Sequence, residues 1–393
     1  MTSKSVISSI ARTPIGSFQG NLSSVSTVTL GATVIKSVID RLDINSSLID
    51  EVIMGNVLCA SEGQAPARQA SIYAGLHNSV ECLTINKVCG SGLKSIMLAD
   101  QSIRCGDSKI IIAGGMENMS QSPYYLIDAR DGMRLGNKEI TDSIIKDGLW
   151  DPYNDMHMGN CAEVLSYENN INRENQDNFA KESYRRSIQA IRNGYFKYEI
   201  VPIEITDKNK KNIIIDTDEE PNRVKLDKIS NLRTVFKNDG TITAANASSI
   251  SDGAAAMMVM SEGTSKDLNI VPICRILAHA TIAHEPLYFT TAPSKAIAKV
   301  LKKANLKIDD IDLFEINEAF SNIVIATMKE HKIQHEKVNI NGGAVSLGHP
   351  IGASGARILV TLISALKQKN KTYGLATLCI GGGEAVAMIV EML

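Results

Sequence analysis

Apolar residues in this chain fall into two recurrent arrangements. One is the short apolar run closed by turn residues, as in IIIA at 110–113, AAAMMVM at 254–260 and LATLCI at 375–380. Runs of that length between glycines and acidic turns predict buried strands. The other is helical spacing: Ile358, Leu359, Leu362, Ile363 and Leu366 fall on one face, which predicts an amphipathic helix with that face in the core. The two arrangements alternate, and the alternation occurs twice. LIDEVIMGNVL (48–58), TINKVCGSGLKSIMLADQSI (84–103) and KIIIAGGME (109–117) follow the same plan as IDDIDLFEINEAF (308–320), VNINGGAVSLGHPIGASGARILVTLISAL (338–366) and GLATLCIGGGE (374–384). Each has an acidic turn, a short strand, Ile-Asn, Ser-Gly, a helix, a strand, a glycine cluster and a glutamate. The second copy is longer between its Ile-Asn and Ser-Gly pairs, and the added loop contains LGHP. Alternating strands and helices predict parallel sheets covered on both faces, and the repetition predicts two similar α/β domains packed about a pseudo-twofold axis.

The stretch between the copies, roughly 119–248, is more polar and less periodic. An insertion of this length in a compact domain is usually functional or interfacial. The strand-like AAAMMVM then returns to the first domain. The resulting division is a first domain at 1–120 with 245–265, an inserted loop domain at 121–244, and a second domain at 266–393.

Composition narrows the classes. Of 393 residues, 44% are hydrophobic and 21% charged, which gives ample core for a globular protein. A net charge of −2 argues against general nucleic-acid binding. No apolar run approaches membrane-helix length, and the N-terminus lacks the apolar stretch of a secretory signal. VEML at the C-terminus is not a peroxisomal or retention address. The seven cysteines show no CxxC spacing, which fits free thiols in a reducing compartment and offers no zinc site. The expected location is cytoplasmic, or the mitochondrial matrix for a processed chain.

Five stretches attract chemical attention. Cys89, in NKVCGSG, lies at a strand-to-helix turn where the helix dipole favours thiolate; taken alone, the site reads sooner as a buried, inert thiol. His349, in SLGHPIGASGA, is either a loop histidine satisfied by backbone or the base that activates a thiol. Cys379 ends a strand, where open α/β sheets bind ligands, and Gly381 in the cluster after it can present a backbone N–H to an oxyanion. Neither glycine cluster has the G-x-G-x-x-G dinucleotide spacing. Asn317, in FEINEAF, either holds a water or oxyanion or caps the following helix with Glu318 in its first turn. His157 and Met158, in DMHMG, line an apolar slot or merely pack locally.

Taken together, NKVCGSG, NEAF, GHPIGASGAR and CIGGG resemble the thiolase family, in particular its acetoacetyl-CoA branch, and the resemblance covers essentially the whole chain from RTPIGSF (12–18) onward. It implies a five-layered αβαβα core of duplicated domains. It also implies a reversible Claisen condensation of two acetyl-CoA to acetoacetyl-CoA and CoA. In that scheme Cys89 is acylated and His349 takes its proton. Cys379 is the acid/base at carbon. Asn317 fixes a water that forms one oxyanion hole with His349, and the N–H groups of Cys89 and Gly381 form the other. His157 and Met158 narrow the acyl pocket, Phe289 forms part of its wall, and Ala319 and Phe320 belong to it. Ser248 meets the pantetheine arm, and Arg223 meets the adenine or phosphate end of CoA. Ser249 and Ser251 depart from the family's commoner residues. No cofactor is implied beyond the CoA thioester substrates. Tyr184, Ala244, Ala245, Ala247 and Val345 resemble a potassium site. The segment near 120–145 resembles a tetramerisation loop, so a homotetramer is expected. The rival readings are a broader 3-ketoacyl-CoA thiolase of fatty-acid β-oxidation and a non-catalytic lipid or CoA carrier with the same fold.

Overall fold

A computed structural model describes residues 4–206 and 210–393. Residues 1–3 of the first domain and 207–209 of the inserted segment lie outside the described residues. The first half contributes β1 (Ser5–Arg12), β2 (Glu51–Gly55), β3 (Glu81–Ile85), β4 (Ile110–Asn118) and β5 (Ser251–Ser261). The second contributes β6 (Cys274–Ala283), β7 (Leu313–Ile316), β8 (Tyr373–Ile380) and β9 (Glu384–Met392). They form one sheet in the order β7-β8-β9-β6-β1-β5-β4-β2-β3. Its halves are joined by a short ladder in which Val6 pairs with Arg275 and Ile7 with Cys274.

Alternation along the strands sorts side chains to two faces. In β5, Ala255, Met257 and Val259 face a central core, whereas Ala254, Ala256, Met258 and Met260 face helices α1 (Thr27–Asp40) and α2 (Pro66–Tyr73). In β9, Val386, Met388 and Val390 join the same central core, whereas Ala385, Ala387 and Ile389 face the opposite outer layer with α6 (Ala292–Ala304). The central layer itself is α3 (Ser91–Cys105) and α8 (Ser354–Lys369), one helix from each copy. The result is helix, sheet, helix, sheet, helix, the five layers the resemblance implied.

Two expectations need correction. The sheet is mixed: β2 runs parallel to β3 and β4, and β7 to β8, but the remaining neighbours are antiparallel. The glycines at 381–383 close β8 and β9 into a hairpin, which forces reversal, with Gly382 and Gly383 at φ of 88° and 85°. And α8 is not amphipathic over its first three turns. Every residue from Ser354 to Leu366 is buried, because a central helix has a sheet on each side.

The two central helices touch at glycines. A Cβ on Gly92 would lie 2.8 Å from the Ala356 nitrogen, and one on Gly355 would lie 2.3 Å from the Leu93 nitrogen. This approach sets the first turns of α3 and α8 against each other, so the loops entering both helices meet at one place.

The inserted segment supplies α4 (Met158–Glu168) and α5 (Arg173–Arg192). It also carries a small hairpin, Tyr124–Tyr125 with Thr141–Asp142, whose loop exposes Ile127, Leu135 and Ile140.

Candidate active site

Cys89 occupies the turn between β3 and α3. Asn86 Oδ1 accepts from the Val88 N–H at 2.9 Å. Ser91 Oγ accepts from the Lys87 N–H at 2.8 Å and donates to the Val88 carbonyl at 2.7 Å. These contacts hold Val88 at φ 46°, a left-handed conformation that a β-branched residue adopts at a cost of about 1–3 kcal/mol. The strained turn presents the half-buried Cys89 sulfur to a cavity of 480 Å³. The backbone N–H groups of Gly381 and of Cys89 itself both reach that sulfur, one from each half of the chain. Burial nevertheless wins and pushes the thiol up to about 11.

His349 lines the same cavity and is almost completely buried. Its N–H donates to the Ser249 carbonyl at 3.1 Å. Ser354 Oγ donates to the Pro350 carbonyl at 2.8 Å, so it accepts from His349 Nδ1–H at 2.5 Å. That assignment leaves Nε2 without a proton, the tautomer a base requires. Burial, with Arg357 second, pushes the imidazole down to about 3, so it rests neutral. Asn317 Nδ2 lies 3.3 Å from His349 Nε2, and its Oδ1 is buried without a partner. Asn317 caps nothing: α7 (Ser321–His331) begins four residues later with Phe320 at its cap. Cys379, at the end of β8, opens on the cavity, and burial with the nearby Cys89 sulfur holds it well above the usual thiol range.

A neutral thiol beside a neutral imidazole has a measurable signature. Iodoacetamide alkylation of Cys89 should accelerate about tenfold per pH unit from about pH 7 to about pH 9, because the thiolate fraction is still rising there. A plateau beginning below about pH 8 would indicate a preformed thiolate–imidazolium pair instead.

The cavity walls are mostly apolar. Met158, Phe289, Ala319 and Phe320 pack in one cluster with Cys379. Met158 lies over Gly381, where a Cβ would stand 3.6 Å from its Cε. His157 accepts from the Gly159 N–H at 3.0 Å and stacks on Phe236 with ring centroids 4.7 Å apart. Burial lowers its pKa, which favours a neutral ring.

Sequence signatures and relatives agree with this geometry. The signature of the thiolase N-terminal domain matches residues 5–263, and that of the thiolase C-terminal domain matches residues 270–392. The chain belongs to the thiolase family. It is 51% identical over 389 residues to a mitochondrial acetyl-CoA acetyltransferase of Bos taurus, covering 99% of this chain and 91% of that one. It is 50% identical over 381 residues to an acetyl-CoA acetyltransferase of Yarrowia lipolytica, covering 97% and 94%. Among solved structures, an acetyl-CoA acetyltransferase of Bacillus anthracis superposes with a TM-score of 0.97 at 39% identity, covering 100% of this chain and 99% of that one. A thiolase of Ascaris suum in complex with coenzyme A superposes with a TM-score of 0.94 at 42% identity, covering 99% and 100%.

Other positions singled out in this thiolase's sequence are spread more widely. Ser248 lines the cavity, with both its N–H and its hydroxyl donating to the Ala319 carbonyl at 3.0 Å. Arg223 stands outside the cavity, exposed and 3.5 Å from Glu219, although neighbouring Glu220 reaches the wall. Tyr184, Ala245 and Val345 share one buried cluster; Ala247 belongs to the neighbouring cluster with Cys379, and Ala244 lines the cavity. Among the described residues, no group of His, Cys, Asp and Glu side chains could hold a metal ion.

Three contributors went unnoticed in the sequence. Phe236 supports His157 and lies edge-on to Phe320 at 6.1 Å. Its only sequence signal is Gly159, where a Cβ would sit 2.3 Å from the Phe236 ring. Ser354, which fixes the His349 tautomer, is hidden in a helix start. Glu117 is bonded to loops of both halves.

Proposed function

We propose that this thiolase is an acetyl-CoA C-acetyltransferase, interconverting two acetyl-CoA with acetoacetyl-CoA and CoA through an acyl-Cys89 intermediate. The observation that carries this reading is a pair of thiols, Cys89 and Cys379, at one apolar cavity with an unprotonated His349 Nε2. One thiol accounts for acyl transfer; a second is needed for proton transfer at carbon.

In the thiolysis direction, Cys89 Sγ attacks the keto carbon of acetoacetyl-CoA and its proton passes to His349 Nε2. The N–H groups of Cys89 and Gly381 hold the developing oxyanion; each such donor is typically worth about 3 kcal/mol. The carbon–carbon bond breaks, leaving acetyl-Cys89 and the enolate of acetyl-CoA. The imidazolium of His349, with a water held by Asn317, faces the enolate oxygen. Cys379, a neutral thiol at rest, gives its proton to the enolate carbon. The His349 imidazolium then restores the Cys379 proton; neutral His349 takes the thiol proton of incoming CoA as CoA attacks the acyl-enzyme, and returns it to the departing Cys89 sulfur. Condensation is the same sequence reversed.

Met158, Phe289 and Phe320 crowd the cavity near Cys379, which favours a short acyl group. Ser248 is positioned for the pantetheine arm, and Arg223, beyond the cavity rim, for the far end of CoA. A monovalent cation would be held by backbone carbonyls around Ala245 and Val345 and by the Tyr184 hydroxyl, supplying positive charge next to the cavity wall at Ala244. The exposed Ile127, Leu135 and Ile140 support a homotetramer assembled through this loop. The free state of all seven cysteines suits the cytoplasm or the mitochondrial matrix.

The test is thiolysis by the pure protein with 3-ketoacyl-CoA of increasing chain length. We expect kcat/KM to be highest for acetoacetyl-CoA and to fall as the chain grows. Highest activity on long chains would assign the protein to β-oxidation, and no activity on any would leave a carrier.

A further inference from the structure

Glu117 closes β4 and is fully buried. Its carboxylate is surrounded by donors from two segments, residues 56–58 and Gly352. Oε1 accepts from Asn56 Nδ2 at 2.8 Å and from the Leu58 N–H at 3.1 Å. Oε2 accepts from the Val57 N–H at 3.1 Å and from the Gly352 N–H at 2.7 Å. The first three belong to the first half of the chain; Gly352 belongs to the second. All four partners are N–H donors, which suits the ionised carboxylate, but burial, with the charge of Glu62 second, pushes its pKa up to about 8.

The internal repeat gives this arrangement a meaning. When Ser91-Gly92 is set against Ser354-Gly355, Gly352 falls at the place of Cys89. The Gly352 N–H is thus the counterpart of the Cys89 N–H, one of the two donors that cradle the reactive sulfur. Asn56 is the counterpart of Asn317, which touches His349. Repeat-related N–H groups, those of Cys89 and Gly352, thus each stand in a cluster of donors. One opens on the cavity. The other is filled from within by Glu117.

We infer that Glu117 is a positioning residue: its carboxylate occupies the second anion hole and, by clamping the Gly352 N–H, fixes the turn from His349 to Ser354 against the first half of the chain. That turn has three anchors. Ser249 holds the His349 N–H, Ser354 holds Nδ1, and Glu117 holds Gly352. Only the Glu117 anchor is also bonded to the loop that follows β2. It therefore sets where His349 stands relative to Cys89 without touching either reacting group. Glu117 also raises the Cys89 thiol through its charge, after burial, so its removal should ease thiolate formation while disturbing the base.

The inference rests on the acyl-transfer reading, so the unsubstituted chain is assayed alongside. In Glu117→Gln, one oxygen becomes an NH₂ that faces N–H donors whichever way the amide turns. We expect kcat for acetoacetyl-CoA thiolysis to fall about tenfold or more, as misplacement of a catalytic group does. KM should stay within about threefold of the parent value. Alkylation of Cys89 by iodoacetamide at fixed pH should be as fast as in the parent or faster. Gly352→Ala reaches the same clamp from the other side: its Cβ would lie 2.6 Å from Glu117 Oε2 and 2.9 Å from the Asn56 Cα. It should show the same split. Unchanged kcat in either variant overturns the assignment. So does a parallel loss of turnover and alkylation, which would mean general collapse of the site. An unsubstituted chain without thiolysis overturns the acyl-transfer reading itself; an active one with unaffected variants overturns only the role of Glu117.

Discussion

Cys89→Ala should abolish thiolysis of acetoacetyl-CoA, with kcat reduced by roughly 10⁴-fold or more, the scale seen when a covalent nucleophile is removed. That loss corresponds to about 5.5 kcal/mol of transition-state stabilisation or more. The fold should survive. Cys89 is half-buried, and the turn that carries it is held by Asn86 and Ser91 rather than by the sulfur. The thermal unfolding midpoint should therefore stay within a few degrees of the parent. Incubation with acetyl-CoA followed by intact-protein mass spectrometry gives the complementary readout: an acetyl adduct on the parent and none on the variant. Near-parent turnover in Cys89→Ala would refute the covalent mechanism.

Cys379→Ala should separate the two halves of the reaction. Acetylation of Cys89 by acetyl-CoA needs the nucleophile, His349 and the N–H groups of Cys89 and Gly381, all of which remain. Proton transfer at carbon needs Cys379. We expect the variant to accumulate acetyl-enzyme from acetyl-CoA while condensation and thiolysis both fall by about 10²–10⁴-fold, the usual contribution of a positioned acid or base. Exchange of label between acetyl-CoA and CoA runs through the acyl-enzyme alone, so it should persist. Loss of label exchange together with turnover would mean that Cys379 serves acyl transfer, and the division of roles between the thiols would fall.

The repeat in the sequence made the layered fold legible, because duplicated strand–helix–strand units have few ways to bury both faces of their sheets. It also drew attention to Cys89, His349, Cys379 and Gly381, which the structure gathers at one cavity. What stayed hidden depends on contacts between residues far apart in the chain. Nothing around Phe236, in RTVFKNDG, marks it as the ring under His157. Glu117 looks like the end of a strand until the Gly352 N–H from the other half is seen against it. The buried back of α8 was unreadable for a related reason: periodicity marks a helix with one dry face, and a helix between two sheets has none. Asn317 was ambiguous because a cap and an active-site amide share the same residue type and place. Only the start of α7 at Ser321 removes the first reading.

The glycine contact between α3 and α8 has a consequence for divergence. Most positions of the two copies can differ without an answering change, as where one copy's cysteine has a glycine as its counterpart in the other. Gly92 and Gly355 are not free in this way. Each faces backbone of the opposite helix, so a side chain gained in one copy has no small residue in the other to make room for it. The pair behaves as a single inherited character, written twice in the gene and selected once in the protein. It keeps the two copies symmetric at the point where their chemistry is least so.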